Sequence, residues 1–214
     1  MTEDKINYPH TTSFIEDLID DLDFIELRKY ARDNKVPIMR EETKSFLVSL
    51  LRIIRPKNIL EIGTAIGYSS LVFEKYTGAD ITTIELDKNM ADFARSNFEK
   101  YNKKVTLIND DAERALSKLE QGFDFVFIDA NKASYKKYFD EAHRLLNNKG
   151  VIVCDNILFR GEVCNDDLIE RRKITIVKRL RKFLAYITAR EDYYTSILPL
   201  GDGISLSVRR ENDY

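Results

Sequence analysis

Apolar residues along this chain alternate between two kinds of spacing, one typical of strands and one typical of helices. Short apolar runs rich in β-branched and aromatic residues lie at Asn58–Ile62, Ile81–Ile84, Val105–Ile108, Phe123–Ile128 and Val151–Cys154. The segments between them keep the three-and-four spacing of helices, at Tyr68–Tyr76, Lys88–Tyr101, Ala112–Leu119 and Ser134–Leu146. Strands that alternate with helices indicate an α/β fold whose mostly parallel sheet is covered on both faces.

The two ends of the chain depart from this alternation. Thr12–Asn34 is predicted to form one broken or two short helices, with Asp23 as the N-cap of the second. The apolar positions that keep helical spacing there are Phe14, Leu18, Leu22 and Ile25, and a further helix is predicted over Glu41–Arg55. A long basic helix is expected over Asp166–Thr188. The strands Tyr194–Leu198 and Ile204–Val208 then flank Pro-Leu-Gly-Asp-Gly, which predicts an antiparallel hairpin.

Composition limits what this chain can be. Its 214 residues, 43% hydrophobic with a net charge of −2, fit a single domain, which we divide into a helical arm (1–35) and a core (36–214). No apolar run is long enough to cross a bilayer and no signal peptide is visible at the N-terminus, so no membrane partner is expected. The small number of cysteines fits a reducing cytoplasm best. Two cysteines and two histidines exclude a disulfide framework and a multi-histidine metal site. His143 and Cys154 are interpreted as structural.

A glycine-containing turn leaves the first strand and enters a helix. Gly63 and Gly67 let backbone come close to a ligand, and the free N–H groups of the helix can donate to it. The spacing differs from the dinucleotide pattern, which disfavours a pyrophosphate. Glu85 ends the next strand, where it can accept ribose hydroxyls, and the loop after the third strand can place a carboxylate on an adenine amino group. A nucleoside-bearing ligand is therefore predicted, against the alternative of a tight turn without a ligand.

Acids also end the fourth and fifth strands. Asp129 follows one strand, and Asp155 and Asn156 follow the other. Neighbouring parallel strands bring these side chains to one edge, where two carboxylates and an amide oxygen suit Mg²⁺. The alternative is that each acid simply caps the helix after it.

Together these motifs resemble the cation-dependent O-methyltransferases, the family of catechol and caffeoyl-coenzyme A O-methyltransferases. The segments that carry the resemblance are Glu61–Ser69, Ile84–Glu85, Ile128–Tyr135 and Cys154–Asn156. It implies a Rossmann-like methyltransferase fold with a seven-stranded sheet, S-adenosylmethionine as donor, Mg²⁺ or a similar cation, and a homodimer. It also implies metal ligands at Asp129, Asp155 and Asn156, and a donor site lined by Met39, Glu61, Gly63, Ser69, Glu85, Asp111, Ala112 and Asp129. Asp129 and Lys132 carry the catalytic roles, Lys132 as general base or as a fixed cation.

The acceptor is less determined by the sequence. Several stretches are similar to a bacterial branch of the family that methylates 5-hydroxyuridine at the tRNA wobble position. A basic segment, Arg171–Lys182, fits the phosphates of such a substrate, although an ordinary solvated helix face explains it equally well. The alternatives are a small catechol-type diol, a nicotinamide-dependent oxidoreductase and a non-catalytic RNA-binding module.

Overall fold

One seven-stranded sheet organises the computed structural model, which describes residues 6–19 and 23–210. The strands are β1 (Asn58–Ile62), β2 (Asp80–Glu85), β3 (Val105–Asn109), β4 (Phe123–Ile128), β5 (Leu146–Cys154), β6 (Tyr193–Leu198) and β7 (Ile204–Arg209). Their order is β3-β2-β1-β4-β5-β7-β6, in which β1 to β5 are parallel and β7 runs antiparallel between β5 and β6. The predicted mostly parallel sheet with a C-terminal hairpin is confirmed.

Helices cover both faces of the sheet, as the apolar patterns predict. They are α1 (Pro9–Leu18), α2 (Ile25–Asp33), α3 (Glu41–Ile54), α4 (Tyr68–Thr77), α5 (Lys88–Lys100), α6 (Ala112–Leu116), α7 (Tyr135–Leu145) and α8 (Ile174–Thr188). One apolar cluster packs the helices α2, α3, α4 and α5 against one face of the sheet. A second joins α6, α7 and α8 to the other face. Among the described residues, no helix combines the length and the apolar character that a membrane span requires.

The long basic helix predicted from Asp166 is shorter than expected. Two separate 3₁₀ turns, Asp166–Leu168 and Arg171–Lys173, precede α8, which begins only at Ile174. Asn165 caps the first turn through its side chain, which accepts from the Asp167 N–H at 2.9 Å. Such a local side-chain bond offers the backbone an alternative to continuous helix. The helix predicted over Ala112–Leu119 likewise ends early, at Leu116.

The arm forms two short helices rather than one, but Asp23 is not the N-cap of the second. Phe24 precedes α2 and makes no side-chain cap. The Asp23 carboxylate instead accepts hydrogen bonds from the Lys75 ammonium and, at 2.6 Å, from the Tyr76 hydroxyl. A charged partner makes a stronger hydrogen bond than a neutral amide, and here it lies on another helix. Leu22, part of the predicted apolar spacing, lies outside the described residues.

Sheet topology brings the carboxyl ends of β1, β2, β4 and β5 to one edge. Ile62 pairs with both Ile84 and Ile128, and Ile128 pairs with Cys154. The loops that follow these strands therefore leave the sheet side by side, which is where ligands bind in open α/β sheets.

Candidate active site

A pocket of about 640 Å³ opens at this edge of the sheet. Ten of the eleven residues predicted for the site line it: Met39, Gly63, Ser69, Glu85, Asp111, Ala112, Asp129, Lys132, Asp155 and Asn156. The structure thus brings together side chains from residues 39 to 156 of the chain. Their individual roles stay predictions.

Gly63 is fixed by the close approach of two loops. Its φ of +99° lies in the region that favours glycine, and a Cβ added there would stand 2.1 Å from the Asp129 carbonyl oxygen. The Gly63 N–H donates to the Ile84 oxygen at 3.0 Å. Glycine at this position lets the turn after β1 lie directly against the loop that carries Asp129.

Glu61 does not line the pocket, although it was predicted among the donor-binding residues. It is fully buried beneath the turn, where its carboxylate accepts hydrogen bonds from the hydroxyls of Ser69, Ser70 and, at 2.7 Å, Thr83. Burial raises the pKa of Glu61 to about 7, against the lowering effect of these three hydroxyls. Glu61 therefore fixes the start of α4 and orients Ser69, which does line the pocket.

Glu85 is held in place by backbone N–H groups. One of its oxygens accepts from Thr64 at 3.1 Å and from Ala65 at 2.8 Å, and the other accepts from Asp87 at 2.8 Å. Since a carboxylate offers about four lone-pair positions, capacity remains for a further donor such as a hydroxyl. Asp111 is also the N-cap of α6, where its carboxylate accepts from the Arg114 N–H at 3.2 Å. The sequence pattern did not predict this cap.

The two acids after β4 and β5 lie next to each other, as predicted. The main-chain N–H of Asp155 donates to the Ile128 oxygen at 2.9 Å, and the Tyr135 hydroxyl donates to the Asp155 carbonyl at 2.8 Å. Burial and the neighbouring charge of Asp129 both raise the pKa of Asp155, and burial likewise raises the pKa of Asp129. Each carboxylate therefore disfavours the ionised form of the other, and a bound cation would relieve that repulsion.

Neither acid acts as the cap of the following helix, so the alternative interpretation is not needed. Asn131 caps the 3₁₀ turn Lys132–Ser134, accepting from the Ala133 N–H at 3.1 Å, and Ser134 precedes α7. The Asp155 carboxylate accepts a local hydrogen bond, from the Asn156 N–H at 2.6 Å.

Lys132 supplies a positive charge beside this pair. Its ammonium donates to the Asn156 side-chain oxygen at 3.1 Å. Asn156 itself adopts a φ of +54°, which turns its side chain out of the line of β5. The ammonium, the amide and the two carboxylates therefore share one end of the pocket.

These side chains fit a hard divalent cation. The buried carboxylate of Asp155, the half-buried carboxylate of Asp129 and one amide oxygen are donor types that Mg²⁺ prefers. Within the described ranges, no three His, Cys, Asp or Glu side chains form a metal-binding group. At the pocket, Asp129 and Asp155 are two such side chains, and the third oxygen donor is the amide of Asn156.

Several pocket residues were missed by the sequence patterns. Tyr68, Arg40, Phe159, Arg160 and Asp202 line the pocket as well. Asp202 was recognised only as part of turn chemistry. Burial raises its pKa, and the carboxylate faces the charges of Arg40, Lys132 and Arg160. Local sequence spacing could not predict Asp202 as a pocket residue, because the pairing of β7 with β5 is what brings Asp202 to the pocket.

His143 and Cys154, which the sequence suggested to be structural, both lie away from the pocket. His143 Nδ1 lies 2.9 Å from the Tyr193 hydroxyl, and Cys154 is buried within the sheet. Burial raises the pKa of the Cys154 thiol to about 12, which keeps it protonated.

The basic segment divides into paired and unpaired cations. Arg172, Lys173 and Arg181 form ion pairs with Glu170, Glu162 and Asp166. Arg171, Lys178, Arg179 and Lys182 are exposed and make no ion pair within the part of the chain that the structure describes. We call these four residues the α8 cation stripe. Lys173 lies over the ring of Phe159, which places the start of this stripe near the pocket.

The chain matches the model of the O-methyltransferase family over residues 15–210 and therefore belongs to that family. It is 31% identical over 184 residues to a Dictyostelium discoideum protein that is named as a caffeoyl-CoA O-methyltransferase. The match covers 77% of this chain and 73% of that one. The catechol O-methyltransferase of Niastella koreensis is 31% identical, covering 76% and 78% of the two chains. An O-methyltransferase from Bacillus cereus, solved with SAH, superposes with a TM-score of 0.81 at 28% identity, covering 94% and 97%.

Proposed function

We propose that this chain transfers a methyl group from S-adenosylmethionine to one of two adjacent oxygens on a ring, with a divalent cation holding that ring. The observation that carries the proposal is a single pocket in which the turn at Gly63 and Ser69 meets the acids Asp129 and Asp155. A donor held by the turn would place its methyl group toward an acceptor held at the acids. The Bacillus cereus relative binds SAH, the product form of that donor.

The donor side is built from fixed groups. We propose that the Glu85 carboxylate accepts from a ribose hydroxyl and that Asp111 and Ala112 contact the adenine; all three line the pocket. Met39 closes this part of the pocket from the segment before α3. Because the carboxylates of Glu85 and Asp111 already accept from backbone N–H groups, little ordering of these two side chains is required when the donor binds.

The acceptor side depends on the acid pair. Asp129, Asp155 and Asn156 would hold the cation. When bound, a divalent cation lowers the pKa of a hydroxyl that it contacts and stabilises the oxyanion. Lys132 either takes the proton or holds the resulting anion, and its contact with Asn156 supports both roles.

For the acceptor itself we propose 5-hydroxyuridine at the tRNA wobble position, whose adjacent carbonyl and hydroxyl oxygens can chelate a cation. The α8 cation stripe supports this choice, because its four side chains make no ion pair within the described residues and can contact phosphates. A small catechol-type diol is the second candidate. It is favoured by the relatives whose names give catechol and caffeoyl-CoA as substrates.

Removing the cation tests the mechanism. We expect methyl transfer from S-adenosylmethionine to a catechol to stop in excess chelator and to return when Mg²⁺ is added. Asp155→Ala should abolish turnover, while calorimetry with SAH gives a dissociation constant close to that of the wild type. Full activity in chelator would remove the cation from the proposal. No binding of SAH by the wild type would remove the methyltransferase proposal itself.

The acceptor is tested separately. Mass analysis of tRNA nucleosides from cells that lack this protein should show 5-methoxyuridine replaced by 5-hydroxyuridine. Unchanged 5-methoxyuridine, together with turnover of catechols by the purified protein, would favour the small diol.

A further inference from the structure

The loop after β5 has an unusual backbone conformation. Three of its non-glycine residues have positive φ: Asn156 at +54°, Phe159 at +49° and Arg160 at +58°. Residues with a Cβ adopt such conformations only where the surrounding structure holds them there. Asparagine tolerates this region better than phenylalanine or arginine, so Phe159 and Arg160 are the residues whose conformation most needs support from contacts.

Those contacts come from the turn between β6 and β7. The Ile157 N–H donates to the Gly203 oxygen at 2.9 Å, and the Leu158 N–H donates to the Asp202 main-chain oxygen at 3.0 Å. The Arg160 N–H donates to the Asp202 carboxylate. The first two bonds can be made by the main chain of any residue. The third requires the side chain of Asp202.

The turn is itself tightly packed on both sides, so it can serve as a fixed support. A Cβ at Gly201 would lie 2.7 Å from Thr43 Oγ1, at the start of α3. A Cβ at Gly203 would lie 2.2 Å from Leu158 Cγ. Real Cβ atoms do not approach other atoms this closely, so the turn has no room to shift without disturbing its neighbours.

The loop held in this way carries acceptor-side groups of the pocket. Asn156, Phe159 and Arg160 all line it. A change in the backbone at Arg160 would move Phe159 and Arg160 together, while the turn at Gly63 belongs to a different part of the chain. We propose that Asp202 is a positioning residue, which holds the loop 156–160 through the Arg160 N–H and so sets the affinity for the methyl acceptor. This inference rests on the proposed function.

A different role for Asp202 can be separated from this one. Its charge is also felt by Lys132 and by the acids Asp129 and Asp155, so Asp202 can act through its charge alone. Asp202→Asn removes the charge but keeps a side-chain oxygen that can accept from the Arg160 N–H. Asp202→Ala removes both. The two substitutions therefore predict different results for the two roles.

The experiment compares these variants by three measurements. For Asp202→Ala we expect a KM for the acceptor raised about tenfold or more, the effect of losing a charge-assisted hydrogen bond. The dissociation constant for SAH should stay near that of the wild type. Trypsin should cleave the bond between the exposed Arg160 and the buried Gly161 about tenfold faster, because the loop opens more often. Mass spectrometry of the fragments identifies this cleavage. Asp202→Asn should be close to the wild type in all three.

Asp124→Ala is the matched control. The Asp124 carboxylate also accepts from main-chain N–H groups, of Lys57 at 2.8 Å and Asn58 at 3.0 Å, but at the opposite end of the sheet. We expect it to lower the unfolding temperature without changing the acceptor KM or the cleavage after Arg160. Equal effects of Asn and Ala at position 202, or no effect of Ala on KM and cleavage, would overturn the proposal.

The cleavage measurement needs no turnover. If the wild type transfers no methyl group, faster cleavage in Asp202→Ala alone would still support the positioning of the loop, and the failure would belong to the proposed function. Unchanged cleavage in an active enzyme would count against the positioning role only.

Discussion

Individual residues at this site are fixed by close approach and by burial. Gly63 has no room for a Cβ, since that atom would meet the Asp129 carbonyl at 2.1 Å. Glu61 has no access to solvent and relies on three hydroxyl donors. Both residues act on the pocket through the position of other groups.

Gly63→Ala should therefore separate steric from conformational effects. We expect SAH binding to be lost and the free energy of unfolding to fall by about 2 kcal/mol or more, since strain at positive φ adds to the clash. Gly78→Ala is the matched control, because its φ is +66° but nothing lies within 4 Å of the added Cβ. It should destabilise by about 1 kcal/mol and leave SAH binding unchanged. Equal SAH affinity of the Gly63 variant and the wild type would contradict the proposed donor site.

The raised pKa of Glu61 predicts a pH dependence of stability. Between its ordinary value of 4.5 and about 7, the folded protein keeps a proton that the unfolded chain releases. The Glu61 contribution to stability is therefore most favourable below pH 4.5 and is lost as the pH rises to about 7. Relative to the wild type, Glu61→Gln should gain stability across this window, approaching on the order of 3 kcal/mol above it. Urea unfolding at several pH values measures this difference, and a difference that does not vary with pH would contradict it.

At the scale of elements, α8 and the turn before it carry basic side chains that do not line the pocket. Lys178, Arg179 and Lys182 of the α8 cation stripe lie on the exposed side of α8, and Arg171 lies in the 3₁₀ turn before it. The other side of α8 packs into the core through Val177, Leu180 and Phe183. Amphipathic spacing predicted this division. It did not predict which of the basic side chains form ion pairs, because their acids lie in the segment 162–170, which was expected to be partly helical.

Neutralising the stripe tests its role. In the variant with Lys178, Arg179 and Lys182 all changed to Gln, we expect the KM for tRNA to rise about tenfold. The slope of log K for tRNA binding against the logarithm of the salt concentration should become shallower by about 2, the value for three lost phosphate contacts. Turnover of a small catechol should be unaffected.

The matched control neutralises three cations of α5, on the opposite face of the sheet: Lys88, Arg95 and Lys100. It changes the net charge equally and should leave tRNA methylation as in the wild type. Similar losses in both variants would indicate a net-charge effect, and parallel losses with tRNA and catechol would point to misfolding.

At the scale of the whole molecule, the arm exposes apolar side chains that a monomer would leave in water. In α1, Phe14 is 65% exposed and Leu18 is 70% exposed, and the helix has no buried residue. Contiguous apolar surface of this kind marks interaction sites. We therefore propose a homodimer that covers α1.

Sedimentation should show a dimer for the wild type and a monomer for the double variant Phe14→Glu, Leu18→Glu. Ile53→Glu is the matched control, because Ile53 is 77% exposed but belongs to α3, and it should leave the dimer intact. A monomeric wild type, or a dimer that survives the double substitution, would contradict the proposal.

Spacing within the sequence was enough to predict the sheet, the terminal hairpin and the edge at which the acids meet. The physical reason is that burial acts on neighbouring positions, so strands and helices leave periodic apolar patterns, and parallel strands end at a common edge. Asp129 and Asp155 could be placed together from their positions at strand ends alone.

Only the tertiary structure decided which side chains share an environment. In the structure Glu61 lies below the pocket instead of lining it, and Asp23 contacts residues of α4. Part of the basic segment forms ion pairs, and Asp202 contacts the loop after β5. These contacts join residues far apart in the chain, and their partners depend on strand order and on the paths of loops. Local periodicity carries no information about either.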